Sequence, residues 1–376
     1  MARNRVIYQS EGLYVSSGLN STGTGGHVQL KRVQSANYSF EITRQDVNQF
    51  GQLARIDSLV LQSPTVSLDL SYYLADGYNE RALGFYVQGT NGSYPTGLGN
   101  FGSGQMVSSE GRNFYIVTSA EGIDLNYSNA LSGLGVIGIG NGFITDYTLN
   151  AAVGDLPTAS VSVEGLGFNA STYSSNGLTG VPSPGIDPEE GTKLQQVTGV
   201  VLRNPTTGDG VTALRPGDIT LNFGGFTGTG GTPTSNVDMT SSDSINIQSV
   251  SLSLPMSRTP IERLGSRFAF ARVVDFPVTA TMSVNALVNE VQARNLADMI
   301  DDGAERDISV TIKKPGTAVD SIIFTLKACK LDSESYSSDI GSNKSVDLTF
   351  STQIGGPNDT IHGVFCSGSS IEAIFA

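Results

Sequence analysis

The side chains best suited to chemistry are few and scattered. The two histidines, His27 and His362, have no metal-ligand neighbour at helical or strand spacing, so a structural or surface role is expected. Cys329 and Cys366 are the only cysteines; they give no disulfide framework and no metal spacing, and small buried hydrophobes or free thiols are expected. Acidic residues gather twice, as Asp187, Glu189 and Glu190 and as Asp301, Asp302, Glu305 and Asp307. The second group has enough hard oxygen for calcium but lacks the ordered spacing of a calcium loop. Glycine-rich pieces such as TGTGG do not run into the Gly-Lys-Ser/Thr of a phosphate loop. No Ser/His/Asp or Cys/His set has a supporting local motif. The expectation is a protein that is not an enzyme and needs no cofactor or metal.

Composition narrows the class further. At 376 residues the chain is long for one domain and suits two. The net charge of −13 and pI near 4.6 argue against a protein that grips nucleic-acid phosphates. An acidic wall would instead let a polyanion slide past without sticking. No run of 18 apolar residues exists to span a bilayer, and the first residues lack a signal-peptide core. Folding in a reducing cytosol is expected, and no membrane partner.

The elements that would position functional groups are mostly strands. Tyr38, Phe40 and Ile42 alternate with polar residues, as do Val66, Leu68, Leu70 and Tyr72, and Val278, Ala280, Met282 and Val284. Residues 308–313, 322–327 and 346–350 continue the pattern, with one apolar face each. One long helix is expected over 286–300, with Gly303 as its stop, and a shorter one near 78–84.

The two ends of the chain read as copies. Residues 33–51 and 247–265 align without a gap: Gln34, Ser35, Ser39, Arg44 and Gly51 meet Gln248, Ser249, Ser253, Arg258 and Gly265. A second block aligns Val136, Ile139, Ile144, Gly154, Val161 and Val163 with Ile323, Leu326, Leu331, Gly341, Leu348 and Phe350 at an offset of 187. The first block has offset 214, and residues 66–72 match best at 212. The first copy therefore carries about 25 extra residues, placed at 86–112, where Gly, Ser and Asn suggest a surface loop or irregular hairpin. The fold expected is mostly β (α+β), with two tandem β-sandwich or barrel-like domains, each with one helix, related by internal duplication. The first domain spans 1–167 and the second 246–376. Between them, 168–245 reads as a connecting or decorating segment rich in Gly, Ser, Thr and Pro. Within it, 194–203 and 218–223 read as strands, either a hairpin of one barrel or an outer decoration. A chain holding one domain twice suits ring assembly.

The segments 144–168 and 331–350 each hold a strand, a turn (Val153–Gly154, Ile340–Gly341) and a second strand of small and β-branched residues. They resemble the late strands of bacteriophage tail tube (major tail) proteins of the duplicated-domain type. The stretches from Arg44 to Gly51 and from Arg258 to Gly265 are similar to the long loop between two early strands of that fold. The resemblance implies packed antiparallel sheets with a helix, and rings, here trimeric and pseudo-hexameric, stacked into a tube that DNA crosses as a transient, non-specific guest. It further implies partnership with the chain itself and with tail terminator, distal tail and tape measure proteins, in a virion assembled from chains folded in the host cytoplasm. It makes Arg44, Asp46, Phe50, Gly51, Arg55, Arg258, Glu262, Leu264, Gly265 and Arg267 candidates for contacts between rings or subunits. A capsid decoration, a baseplate component or a two-domain β-sandwich adhesin fits the composition too. A carbohydrate-active protein fits poorly, since the chain has no tryptophan to stack on sugars.

Overall fold

A computed structural model describes residues 11–18, 26–61, 63–89, 99–108, 111–119, 125, 134–173, 181, 183–187, 214, 219–223, 237–238, 246–266, 268–287, 305–314, 320–337 and 345–368. The first set of elements is β1 (Glu11–Ser16), β2 (His27–Gln29), β3 (Val33–Glu41), β4 (Arg44–Val47), β5 (Asp57–Val60), β6 (Thr65–Tyr73), α1 (Tyr78–Leu83), β7 (Gln88–Gly89), α2 (Ser103–Val107), β8 (Arg112–Thr118), β9 (Leu134–Ala152), β10 (Thr158–Gly165) and β11 (Gly167–Tyr173). The second is β12 (Ile219–Phe223), β13 (Val237–Asp238), β14 (Asn246–Pro255), β15 (Arg258–Ile261), β16 (Ala271–Val274), β17 (Val278–Leu287), β18 (Arg306–Lys313), β19 (Asp320–Ser337), β20 (Ser345–Ile354) and β21 (Gly363–Gly368). The chain is mostly β, as its alternating sequence requires. On β6, Val66, Leu68, Leu70 and Tyr72 are buried while Thr65 and Asp69 are exposed.

Eight strands form one antiparallel inner sheet in the order β3-β6-β10-β9-β14-β17-β20-β19. Behind it lie two outer sheets, β2-β1-β8-β9-β11 and β13-β12-β18-β19-β21-β7. The long strands β9 and β19 belong to both layers, their first halves outer and their second halves inner. Each turns the corner at a non-glycine residue of positive φ, Asn141 (54°) and Ala328 (49°). A large apolar core fills the space between the layers and runs continuously through both halves of the inner sheet.

The pairing pattern occurs twice. β3-β6-β10-β9 and β14-β17-β20-β19 have the same order, the same antiparallel sense and the same registers. The bulges recur as well, at Val33/Ser35 and Ile247/Ser249 and at Ser162/Val163 and Leu331/Ser333. Registers correct the sequence alignment at one point. Ser71 pairs with Ser35 and Asn285 with Ser249, so the offset of 214 persists through β6 and is not 212. The excess between β6 and β9 is then about 27 residues, the difference between 214 and 187.

Three expectations meet differences. Residues 99–108, read as surface loop, include α2 and the buried Asn100, Phe101, Ser103 and Met106. Residues 168–245, read as connecting or decorating, supply most of β11 and all of β12 and β13, which are paired members of the outer sheets, and the strand read at 218–223 is present as β12. The first set carries two short helices, α1 matching the expectation near 78–84. Of the helix expected over 286–300, Ala286 and Leu287 instead finish β17, and the remainder lies outside the described residues, as do 194–203, Asp301 and Asp302.

Candidate assembly surface

Two β-hairpins project from the inner sheet at equivalent places. β4 pairs with β5 from Arg44↔Val60 to Val47↔Asp57, and β15 with β16 from Arg258↔Val274 to Ile261↔Ala271. Every residue pair of one maps onto the other at offset 214, including the closing bonds from Ile56 N to Val47 O (2.9 Å) and from Phe270 N to Ile261 O (3.0 Å). At each tip a glycine turns the chain, Gly51 at φ 86° and Gly265 at φ 92°, a region closed to most side chains. Beside them Phe50, Leu53 and Leu264 are fully exposed. Large apolar side chains held in water at the end of a two-stranded arm cost solvation free energy, and a partner that covers them removes that cost.

The other candidates separate into two kinds. Asp46 and Arg55 pair with each other across the first hairpin at 3.1 Å in solvent, and Arg44 and Glu262 are exposed. Arg258, the counterpart of Arg44, is half-buried and committed within the chain. Its guanidinium lies 4.5 Å from the centre of the Phe143 ring and donates to Ser108 O (3.3 Å), Arg272 O (3.0 Å) and Gln105 O. Burial and the nearby Arg272 charge pull its pKa down to about 10. Arg267 lies outside the described residues.

Two of the carbonyls that Arg258 holds, Gln105 O in α2 and Ser108 O just after it, belong to the extra segment of the first set, which so reaches onto the second. Asn100 Nδ2 donates to His362 O at 3.2 Å and Phe101 N to Val364 O at 2.6 Å. The Phe101 ring stacks on Phe85 (4.4 Å) and meets Tyr147 (5.0 Å) and Phe324 (5.6 Å) edge-on, which ties rings from both sets together. Sequence reading missed this staple. Its glycines looked like loop, but they permit close approach: a Cβ on Gly104 would stand 2.3 Å from Gly84 O, and one on Gly102 2.9 Å from Met106 Cε.

The inner sheet ends in two strands that have one partner each among the described residues, β3 on β6 and the second half of β19 on β20. The consequences show in β3. Tyr38 and Phe40 are 42% and 44% exposed, although their counterparts Leu252 and Leu254 are 1% and 0% exposed on β14, which lies between β9 and β17. Tyr38 and Phe40 lean on Phe168, each at 5.6 Å, and form an aromatic shelf along the free edge.

The solvent face of the inner sheet is lined with hydroxyls. Ser35 pairs with Ser71 (2.6 Å), Ser39 with Ser67 (2.6 Å), Ser162 with Asp69 (2.7 Å) and Asn285 with Asp347 (2.5 Å). Within the inner-sheet stretches of these eight strands the only basic residue is Lys330. It lies at the hairpin end, 3.8 Å from Glu305, just as Arg272 of β16 is held by Glu164 at 2.8 Å. Carboxylates Glu41, Asp69, Asp146 and Asp347 therefore dominate the field over this face.

Among the described residues no other arrangement gathers reactive groups. Among the described residues no set of three or more His, Cys, Asp or Glu side chains is placed to hold a metal, and no helix is long and apolar enough to cross a membrane. His27 is buried edge-on to Tyr115 at 5.4 Å, and His362 lies 3.4 Å from Asp359. Cys329 and Cys366 are buried and free. Burial pushes the Cys329 thiol up to about 12, far from a reactive thiolate. Glu80 is buried in the core and accepts from Tyr72 Oη (2.9 Å) and Tyr147 Oη (3.3 Å); burial raises its pKa to about 7.

No family model matches the chain, and no curated protein matches it. Solved structures do. A chain from the tail of an empty GTA particle with C6 symmetry is 12% identical over 36% of this chain and 90% of that one, with a TM-score of 0.26. A chain from the sixfold-symmetrised baseplate of the anti-feeding prophage is 10% identical over 41% of this chain and 94% of that one, with a TM-score of 0.27. A chain from the virion of a native gene transfer agent particle is 11% identical over 36% of this chain and 90% of that one, with a TM-score of 0.22.

Proposed function

We propose that this chain is a non-enzymatic structural subunit of a phage-type tail, and specifically of its tube. In this reading three copies close a ring, and rings stack around a bore through which DNA passes. The observation that carries the reading is the inner sheet: two four-stranded sets in identical order, already joined side by side by β14 on β9, with the matching edges β3 and β19 open at the two ends among the described residues. An open edge of this length invites pairing, and closure into a barrel removes it. Three copies give about 24 strands. At about 4.8 Å between strands and a tilt of about 40°, such a barrel is about 45–50 Å across, wide enough to pass duplex DNA. Covering the half-exposed Tyr38 and Phe40 would contribute roughly 1–2 kcal/mol each.

The hydroxyl-lined acidic face becomes the wall of the bore. Serine and threonine hydrate the wall while the carboxylates keep phosphates from binding. The hairpin tips, with Phe50, Leu53 and Leu264, reach into the neighbouring ring. Glu262 and the Asp46–Arg55 pair flank those contacts, and Arg258 braces its hairpin from within. We also propose that the two sets arose by internal duplication. The first unit then extends to about Tyr173 and the second begins by Ile219, because β11, β12 and β13 pair within the outer sheets. Terminator, distal-tail and tape-measure proteins would meet the stack at its ends and in its bore, after folding in the host cytoplasm.

Electron microscopy of the purified protein tests the reading. Hollow tubes, or rings of three chains, are the expected product. Monodisperse monomers at high concentration would overturn it in favour of a decoration protein or an adhesin.

A further inference from the structure

The junction inside the chain is a template for the junction between chains. β14 lies on β9 with Ser251↔Asn150, Leu252↔Leu149, Ser253↔Thr148 and Leu254↔Tyr147 opposed. β3 corresponds to β14 at offset 214 and β19 to β9 at offset 187, as their shared registers with β6 and β17 and with β10 and β20 require. The transferred register sets Asn37 opposite Ser337, Tyr38 opposite Tyr336, Ser39 opposite Ser335 and Phe40 opposite Glu334 of the next copy.

Glu334 adds an independent observation at this edge. It pairs with Leu348, whose side chain is buried, so its carboxylate lies on the core side of β19. Both its oxygens are shielded from solvent, and neither has a hydrogen-bond partner. Glu334 is half-buried as a residue, and carboxylate oxygens shielded from water without a donor are costly. In the transferred register Tyr38 of the neighbour sits diagonally across from Glu334 on the same face, at the about 7–8 Å backbone separation that a long aromatic side chain bridges. Among the described residues no hydrogen-bond partner faces the Tyr38 hydroxyl.

Resting on the tube reading, we infer that β3 of one copy pairs with β19 of the next in the register of β14 on β9, and that the Tyr38 hydroxyl donates to the Glu334 carboxylate across that joint. The partner of this edge is thus a second copy of the chain, in one register only. The joint differs from its template in chemistry. Where the internal junction sets leucines beside Tyr147 and is stapled by α2, the joint between chains opposes Tyr38 to Tyr336 and Phe40 to Glu334. A chain can then distinguish its own middle from its neighbour's edge.

Oxidation of the full-length chain carrying Ser39→Cys and Ser335→Cys tests the register, because opposed pairs come close enough for a disulfide and diagonal ones do not. The native cysteines are buried and stay silent. Assembled protein should give covalent species closing at three chains, whereas Ser39→Cys with Ser333→Cys should stay uncrosslinked. Rings or tubes that form normally but link through the second pair, or through neither, overturn this inference and leave the tube reading standing. Failure of the unsubstituted protein to assemble overturns both. Tyr38→Phe should raise the concentration needed for ring formation about tenfold or more without moving the melting temperature of the monomer. An unchanged assembly threshold overturns the Tyr38–Glu334 bond.

Discussion

Glu80 shows how much a single buried group can shape this fold's response to pH. Its carboxyl holds two tyrosine hydroxyls in the core and is raised from 4.5 to about 7 in the folded chain. Between those values the folded chain keeps a proton that the unfolded chain releases. Stability therefore falls as pH rises through that window and levels off above it. Glu80→Gln should flatten the dependence and stabilise the chain by about 2 kcal/mol at pH 8, read from urea midpoints at pH 5 and pH 8. At the paired strand corners, Ala328 carries only a methyl group, with nothing polar to offset its positive φ, whereas Asn141 uses its amide to bind Ile186 N (2.7 Å) and Ile186 O (2.8 Å). Ala328→Gly should stabilise by about 1 kcal/mol, while Asn141→Gly should destabilise by about 1–2 kcal/mol by leaving buried backbone groups unmet. Equal effects in thermal melts would contradict this account of the corners. Neither corner was legible in the sequence, since nothing in the side-chain pattern of a long strand announces where it changes sheets.

Individual elements were legible where side-chain alternation meets a one-sided sheet, and obscure where small residues serve close packing. The matched blocks around Arg44 and Arg258, read as a long loop between strands, fall on the two hairpins and their tip glycines, because a projecting arm carries its pattern locally. The alignment slipped by two residues at β6 for a physical reason: a strand of period two looks the same after an even shift, and only pairing with a neighbour fixes the register. The glycines of residues 99–108 were read as loop, yet they let α2 press against the second set. Phe101→Ala should therefore destabilise by about 3–5 kcal/mol, measured by denaturant unfolding; a surface loop would lose less than about 0.5 kcal/mol. The tips predict the opposite. Phe50→Ser and Leu264→Ser should leave the melting temperature unchanged while shortening tubes to rings or short stacks. Full-length tubes from the double variant would remove the tips from the ring-to-ring contact.

For the whole molecule, the account depends on one chain presenting two equivalent four-stranded sets whose outer edges complement each other. The sequence matched the sets but could not reveal the edges, because the presence of a neighbouring strand is a property of the sheet and not of any residue. The largely polar face was likewise visible only as scattered serines until eight strands aligned them. The most direct measurement is a reconstruction of the assembled protein by cryo-electron microscopy at a resolution that separates strands. The account predicts threefold rings with approximate sixfold appearance and a continuous barrel of eight strands per chain, its bore lined by Ser67, Asp69 and Ser251. A ring with another number of chains, a gap between β3 and β19, or a bore lined by an outer sheet would contradict it.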